Sequence, residues 1–221
     1  MISRVPLSLV SQHHFYTLCE PCPLSLVPLK TGVDKDIVYF DLETQRTAND
    51  AGGWDRKAAM GMTVGVTYST GTGKYTVYSE ERVHDLIAQM QAADLVVGFN
   101  VINFDYEVLM GYTVVDLAHS LPTRDLMVEL EKKIGHRIGL DAVAQSTLGF
   151  GKTADGLDAI KWWRQGRKLD VARYCCFDVK VTRLVHEFGM ANGEVFYHDR
   201  LGRRQRVAVD WSSSSRRSIA A

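Results

Sequence analysis

Ile37-Val38-Tyr39-Phe40-Asp41-Leu42-Glu43 is the stretch on which the reading of this chain turns. Its apolar, β-branched and aromatic run up to Phe40 predicts a short buried β-strand. Side chains alternate faces along a strand, so Asp41 and Glu43, at its C-terminal end, share one face. Adjacent carboxylates repel, and burying them ionised costs several kcal/mol unless a cation or hydrogen bonds offset it. A metal site is the economical explanation, although an Asp-x-Glu at a strand end is by itself more often a solvated loop edge.

Working outward, the 221 residues, 46% hydrophobic and 10% aromatic, suffice for one sizeable domain with a core. Lys+Arg and Asp+Glu both number 26, so no global charge signature marks a nucleic-acid or membrane binder, and a polyanion would have to be held by local patches or bound metal. Cys19, Cys22, Cys175 and Cys176 do not form the framework of a secreted disulfide scaffold, which points to a reducing, cytoplasmic setting. No apolar run approaches the roughly 18 residues of a spanning helix, so no membrane association is expected. Pro6 and Ser8 interrupt the first apolar run and make it a poor signal peptide.

Residues 1–34, with four prolines and no helical or strand period, read as an irregular or disordered extension. His13, His14, Cys19 and Cys22 include a Cys-x-x-Cys, but no second half with suitable spacing follows, and an unstructured leader outweighs a zinc site. After the first strand, 44–57 is polar, carries Gly52-Gly53-Trp54, and reads as a loop able to reach over the acids. Strands are expected at 62–68 and 74–78, joined by a hairpin turn at 69–73. Val83, Leu86, Ile87 and Met90 mark an amphipathic helix over 80–92, Leu95 to Gly98 a short buried strand, and 103–110 a helix. Helices at 126–134, 140–148 and 157–163 follow, then a longer one from an Asp170 N-cap to Phe188 with Gly189 near its end. A hairpin over 194–209 closes a domain spanning 35–211, before a disordered tail at 212–221. The pattern is α/β with a mixed sheet.

Two further stretches place acids in a defined context. Asn100-Val-Ile-Asn-Phe104-Asp105 follows the strand at 95–98, and Tyr174-Cys-Cys-Phe-Asp178 puts a phenol and a carboxylate on one face of the long helix. In order and spacing, Asp41-x-Glu43, Asn100-x-x-x-Phe104-Asp105 and Tyr174-x-x-x-Asp178 resemble the three motifs of the DEDD 3′–5′ exonucleases, over about residues 36 to 190. Position 174 is Tyr and 173 is Arg, so the resemblance is to the Tyr variant, DEDDy, within the ribonuclease H-like (DnaQ-like) superfamily. The chain resembles YprB-like nucleases and family B polymerase exonuclease domains more than the His-type proofreaders. The resemblance implies a ribonuclease H-like α/β fold: a mixed five-stranded sheet, three antiparallel strands then parallel ones, flanked by helices. It implies two divalent cations, Mg²⁺ or Mn²⁺, with Asp41 bridging them, Glu43 and Asp178 completing one, and Asp105 holding the other mainly through water. Phosphodiester hydrolysis needs an activated water and charge compensation on two oxygens, which two ions about 3.5–4 Å apart supply. Tyr174 would orient the attacking water, since a phenol ionising near pH 10 is a poor general base.

Single-stranded or 3′-ended DNA or RNA is the implied substrate, trimmed to nucleoside 5′-monophosphates, with a helicase or other nucleic-acid enzyme as a candidate partner. The alternatives are a non-catalytic nucleic-acid-binding or helicase-associated module, and a structure-specific endonuclease on the same fold. Asn100 and Phe104 are candidate substrate contacts, though Asn100 could simply cap the following helix. Lys161, Arg164, Arg167 and Lys168 interleave with Trp162 and Trp163 as candidate phosphate contacts, the tryptophans being better suited to core packing. Asp116, Asp125 and Asp141 read as caps or surface groups, and Cys175 and Cys176 as small packing residues. Gly151-Lys152-Thr153 echoes a P-loop, but the first glycine of that motif would fall at Ser146, which rules it out. The 199–221 segment carries six arginines against two aspartates, a surplus expected to be solvated or to touch a partner.

Overall fold

The computed structural model describes residues 35–150 and 156–212. Expectations for the 1–34 extension with its His13, His14, Cys19 and Cys22, for the Gly151-Lys152-Thr153 run and for the tail from 213 lie outside the described residues. Strand β1 (Ile37–Thr44) is followed by a one-turn helix α1 (Ala48–Ala51) and a 3-10 segment (Trp54–Ala59), where only a loop was expected. Next come β2 (Met62–Ser69), β3 (Lys74–Ser79), α2 (Val83–Ala92), β4 (Leu95–Gly98), α3 (Asp105–Leu109) and α4 (Leu117–Ser120). The chain continues through β5 (Thr123–Asp125), α5 (Leu126–Ile134), α6 (Leu140–Leu148), α7 (Gly156–Arg164) and α8 (Lys168–Asn192), and closes in the hairpin β6 (Glu194–His198) and β7 (Arg204–Ala208).

The main sheet has five strands in the order β3-β2-β1-β4-β5. β1, β2 and β3 pair antiparallel, whereas β1 with β4 and β4 with β5 pair parallel, as the resemblance implies. The alternation of β1 divides the molecule. Val38, Phe40 and Leu42 enter one apolar cluster with Leu86 and Met90 of α2 and Val108 and Leu109 of α3. Tyr39 enters another, with Val64, Val66 and Val97 of the sheet and Cys175 and Val179 of α8. Asp41 and Glu43, two and four residues on, therefore face α8. Among the described residues no helix is long and apolar enough to cross a membrane.

Helix α8 is longer than its sequence signals suggest at both ends. Arg167, not Asp170, precedes its first residue, and Asp170 lies in the first turn, where its Oδ2 accepts from Arg167 Nε at 2.8 Å. At the other end Gly193 (φ 68°) terminates the helix, and Gly189 sits inside it for a packing reason. A Cβ at Gly189 would lie 2.1 Å from Cε3 of Trp211, which is 2% exposed. The Trp211 indole donates to Glu129 Oε2 at 2.7 Å, and its carbonyl accepts from Arg124 Nη1 at 2.7 Å. The segment after β7 is thus a strap across α5, β5 and α8. Ala in place of Gly inside a helix normally stabilises by roughly 0.5–1 kcal/mol. Here the clash with the indole reverses the sign, and Gly189→Ala should destabilise by about 2 kcal/mol in urea unfolding; a stabilised variant would show that the strap yields freely.

His186 of α8 is fully buried beside Trp211, with Nδ1 3.0 Å from the Tyr39 hydroxyl and Nε2 3.3 Å from Arg124 Nη1. A guanidinium only donates, so Nε2 accepts, and the neutral Nδ1–H tautomer donates to Tyr39. Burial, assisted by the Arg124 charge, lowers the imidazole pKa to about 3. The unfolded imidazole titrates near 6.5, so the stability associated with the neutral ring is intact above about that pH and lost as the pH falls toward 3. Going from about pH 7 to about pH 5, this one group should cost about 2 kcal/mol. Urea unfolding of wild type and His186→Gln at both pH values checks this: the wild type should lose more by about that amount, and equal losses would remove His186 from the account.

Candidate active site

The pairing of β1 explains where its acids lie. β4 pairs with β1 only over Ile37 to Tyr39, whereas β2 continues alongside Asp41 (opposite Val66) and Glu43 (opposite Val64) before the register shifts at Thr44. Beyond Tyr39, then, one edge of β1 is open to other partners. The Leu42 amide uses that opening to donate to Asp105 Oδ1 at 3.1 Å. On the α8 face, Asp41, Glu43 and Asp178 present carboxylate oxygens that all lie within 4.8 Å of one another. Glu43 and Asp178 are buried, while Asp41 is partly exposed and opens the cluster to solvent.

Asp105 stands outside that group of three but close behind it. It is 3% exposed, and burial raises its pKa to about 7, the Leu42 amide opposing and the Asp125 and Asp178 charges adding to the rise. Asp105 of α3 is thus tied to the strand that carries Asp41 and Glu43 and feels the Asp178 charge. Tyr174, one turn before Asp178 on α8, is 7% exposed and meets the Trp162 ring edge-on at 6.0 Å between centroids.

Cys175 does more than the packing expected of it. Its Sγ lies 3.4 Å from both the carbonyl oxygen and Oδ2 of Asp41. Burial pushes the thiol pKa well up, with the charges of Asp41 and Glu43 adding to it, so the group stays an S–H donor and steadies the Asp41 carboxylate.

The link from β4 to α3 is organised by Asp125, read from sequence as a cap or surface group. It is both a cap and a buried anchor. Its Oδ1 accepts from the amides of Asn100 (2.8 Å), Met127 (3.1 Å) and Val128 (3.2 Å), and its Oδ2 from that of Ile102 (3.0 Å). Burial raises its pKa against the pull of those amides. Asn100 does not cap α3, whose preceding residue is Phe104; it adopts a left-handed conformation (φ 71°) and its carbonyl accepts from the Phe104 amide at 3.0 Å. The Asn100 side-chain oxygen accepts from Arg137 Nη2 at 2.8 Å. Arg137 carries no local signal of this role, because the contact spans two loops. Asp116, read as a cap or surface group, caps α4 through the His119 amide.

The candidate phosphate contacts are engaged within the fold. Lys161 pairs with Asp158 at 2.8 Å, Arg164 with Asp50 of α1 at 2.6 Å, and Arg167 with Asp170 at 2.8 Å. Lys168 lies over the Trp163 ring, 5.3 Å from its centroid. Trp162 and Trp163 are partly buried against the α8-side core, between the two roles considered for them. Lys168, Trp163, Thr63 and Val64 line a groove of about 580 Å³ between the β2–β3 face and the start of α8. Val64 is also the ladder partner of Glu43, although the acids at the groove wall itself are Glu80 and Glu81. Three of the four arginines of the terminal hairpin are engaged within it: Arg203 pairs with Asp199, Arg206 with Glu194, and Arg204 covers the Phe196 ring.

Among solved structures, the chain is similar to the family B DNA polymerase from the hyperthermophilic archaeon Pyrobaculum calidifontis, at 17% identity and a TM-score of 0.54 over 73% of this chain and 25% of that one. The chain spans about a quarter of that polymerase, and at this identity the likeness is one of fold. No curated protein matches the chain. The family model for the RNase_H superfamily matches residues 38–185, from the β1 acids through Asp105 to Asp178 of α8, and the chain belongs to that superfamily.

Proposed function

We propose that this protein is a metal-dependent 3′–5′ exonuclease of the DEDDy type, hydrolysing phosphodiester bonds at the 3′ end of DNA or RNA and releasing nucleoside 5′-monophosphates. One observation carries the reading: Asp41 and Glu43 of β1 meet Asp178 of α8 with carboxylate oxygens within 4.8 Å. Three converging carboxylates, two of them buried, form an all-oxygen donor set suited to a hard divalent cation such as Mg²⁺ or Mn²⁺. Two such cations, when bound, would supply charge compensation at the attacking and leaving oxygens.

The chain's own residues have separable tasks in this scheme. Asp41, Glu43 and Asp178 would hold the cations, with Asp105 supporting from behind, its carboxylate fixed by the Leu42 amide. The Cys175 thiol keeps Asp41 in its rotamer, and Tyr174 orients the attacking water by hydrogen bonding rather than by removing its proton. The groove lined by Val64, the ladder partner of Glu43, with Lys168 over Trp163 in its wall, is the path assigned to the strand. The order of the acids along the chain, matched to the DEDDy motifs, favours trimming from a 3′ end over internal cutting.

Metal addition gives the first check. Crowded acids destabilise a cation-free fold, so Asp178→Asn in EDTA should melt no lower than wild type. Mn²⁺ should raise the wild-type melting temperature, with a gain of about 2.7 kcal/mol at a hundredfold excess over Kd, and should leave Asp178→Asn nearly unmoved. Equal Mn²⁺ responses would place the ion elsewhere. The second check is activity on 5′-labelled single-stranded DNA, double-stranded DNA and RNA with Mg²⁺ or Mn²⁺. Wild type should yield a ladder shortened from the 3′ end, and Asp41→Ala or Asp178→Ala should abolish it. No trimming of any substrate would end the enzyme reading, and cutting of a circular single strand would make it an endonuclease.

A further inference from the structure

The loop after β1 leaves one large aromatic in water, against the Phe104 that precedes Asp105. Trp54 is 66% exposed, although tryptophan is among the side chains that gain most from burial. Its placement is fixed by the backbone before it. Helix α1 ends in consecutive left-handed glycines, Gly52 (φ 92°) and Gly53 (φ 124°), and the Gly53 amide returns to the Ala48 carbonyl at 2.7 Å. A side chain at either glycine would be strained, so the pair turns the chain and delivers Trp54 at the start of the 3-10 segment. The loop is fastened from the other side by the Arg164–Asp50 bridge to α7.

Trp54 rests against Phe104, with ring centroids 6.4 Å apart and planes inclined by 60°. Planes so inclined do not lie flat on one another, so Phe104 steadies the indole without covering it. Phe104 immediately precedes Asp105, whose carboxylate is bonded to the strand that carries Asp41 and Glu43. Arg56 and Lys57 follow Trp54 in the same segment, and Arg137 is held at Asn100, four residues before Phe104. Asp55 separates Trp54 from the two cations in the chain. An exposed aromatic with cations in the same loop is an arrangement that can hold a single strand, bases on the ring and phosphates on the charges.

We infer that Trp54 is a base-stacking residue for a nucleotide near the 3′ end of a single-stranded substrate, forming with Phe104 and Arg137 the wall of the strand's approach to the acids. This rests on the nuclease reading above and adds to it a substrate contact that the three acid-bearing motifs do not contain. Stacking is indifferent to base identity, so the contact serves trimming without sequence preference.

Binding measured without turnover tests it. The full chain is titrated against a 5′-fluorescein-labelled single strand in EDTA and followed by anisotropy. Trp54→Ala should bind about 10-fold more weakly and Trp54→Phe should recover most of the loss. Because Trp54 is largely in solvent, both variants should melt with wild type. Abasic substitution of the bases nearest the 3′ end, one at a time, separates stacking from a loop defect: at the stacked position it should weaken wild type but leave Trp54→Ala unchanged. Binding by Trp54→Ala within about twofold of wild type, or an equal abasic penalty in both proteins at every position, overturns the stacking assignment while wild-type trimming leaves the nuclease reading standing. A wild type that neither binds nor trims any strand overturns both.

Discussion

The packing of α8 across one face of β1 is the contact on which the rest of the molecule depends, because that face carries Tyr39, Asp41 and Glu43 and α8 meets all three. At one end the Tyr39 hydroxyl bonds to His186, and at the other Cys175 and Asp178 approach Asp41 and Glu43. Drawing carboxylates together under a helix opposes folding, so the helix has to be held by something else. Val171, Val179, Val181 and Val185 of α8 are essentially fully buried, and each such side chain contributes roughly 1.5–3 kcal/mol. Together they exceed the several kcal/mol that a group of crowded acids costs. The Trp211 strap lying in the Gly189 notch adds a further restraint at the far end of the same helix. The acids can be crowded because the remainder of α8 is anchored without them.

The second constraint is where parallel pairing stops. Had β4 continued alongside β1 past Tyr39, the Leu42 amide would be spent in the ladder; instead it orients Asp105. The chain leaving β4 must then turn sharply, and it does so through a left-handed Asn100 whose amide, with that of Ile102, is gathered by Asp125. A single buried carboxylate accepting four amides joins the start of α5 to this turn, so strain at Asn100 is offset by hydrogen bonds from two elements. Arg137 then clamps the Asn100 side chain. The residues around Phe104 are therefore rigid, and a rigid floor is what an exposed ring such as Trp54 needs if it is to serve as a plate.

Local pattern in the sequence is enough to reveal β1, the β2–β3 hairpin, α2, α5 and α6, since each is long enough to show its period and ends in recognisable turn or cap residues. β5 and α4, of three and four residues, are too short to have one. The ends of α8 depart from the local pattern because Asp170 and Gly189 have the chemistry of caps, whereas their positions answer to Arg167 and to Trp211, the latter 22 residues away in the chain. The same division holds at the acids. Asp41, Glu43 and Asp178 stand out as charges in apolar surroundings, a property of their own neighbours in sequence. The contacts of Cys175, Asp125 and Arg137 join distant segments, and nothing beside them in the chain announces those contacts.

Charge sets the manner in which such a site can engage a polyanion. The chain has equal numbers of cationic and anionic residues, and Lys161, Arg164 and Arg167 each hold an aspartate. Long-range attraction is therefore weak, since the electrostatic affinity for a phosphate backbone grows with the number of phosphates that protein cations neutralise, releasing the counterions condensed on them. Exposed pairs of this kind are worth only about 0–1 kcal/mol, so they fix side-chain positions yet can be exchanged for a phosphate at small cost. A strand that gains little from charge at a distance has to be held by contacts made on arrival. The proposed recognition follows that logic: cations shared between carboxylates and phosphate at Asp41, Glu43 and Asp178, and a ring for a base at Trp54, with the basic side chains orienting the backbone once it is in place.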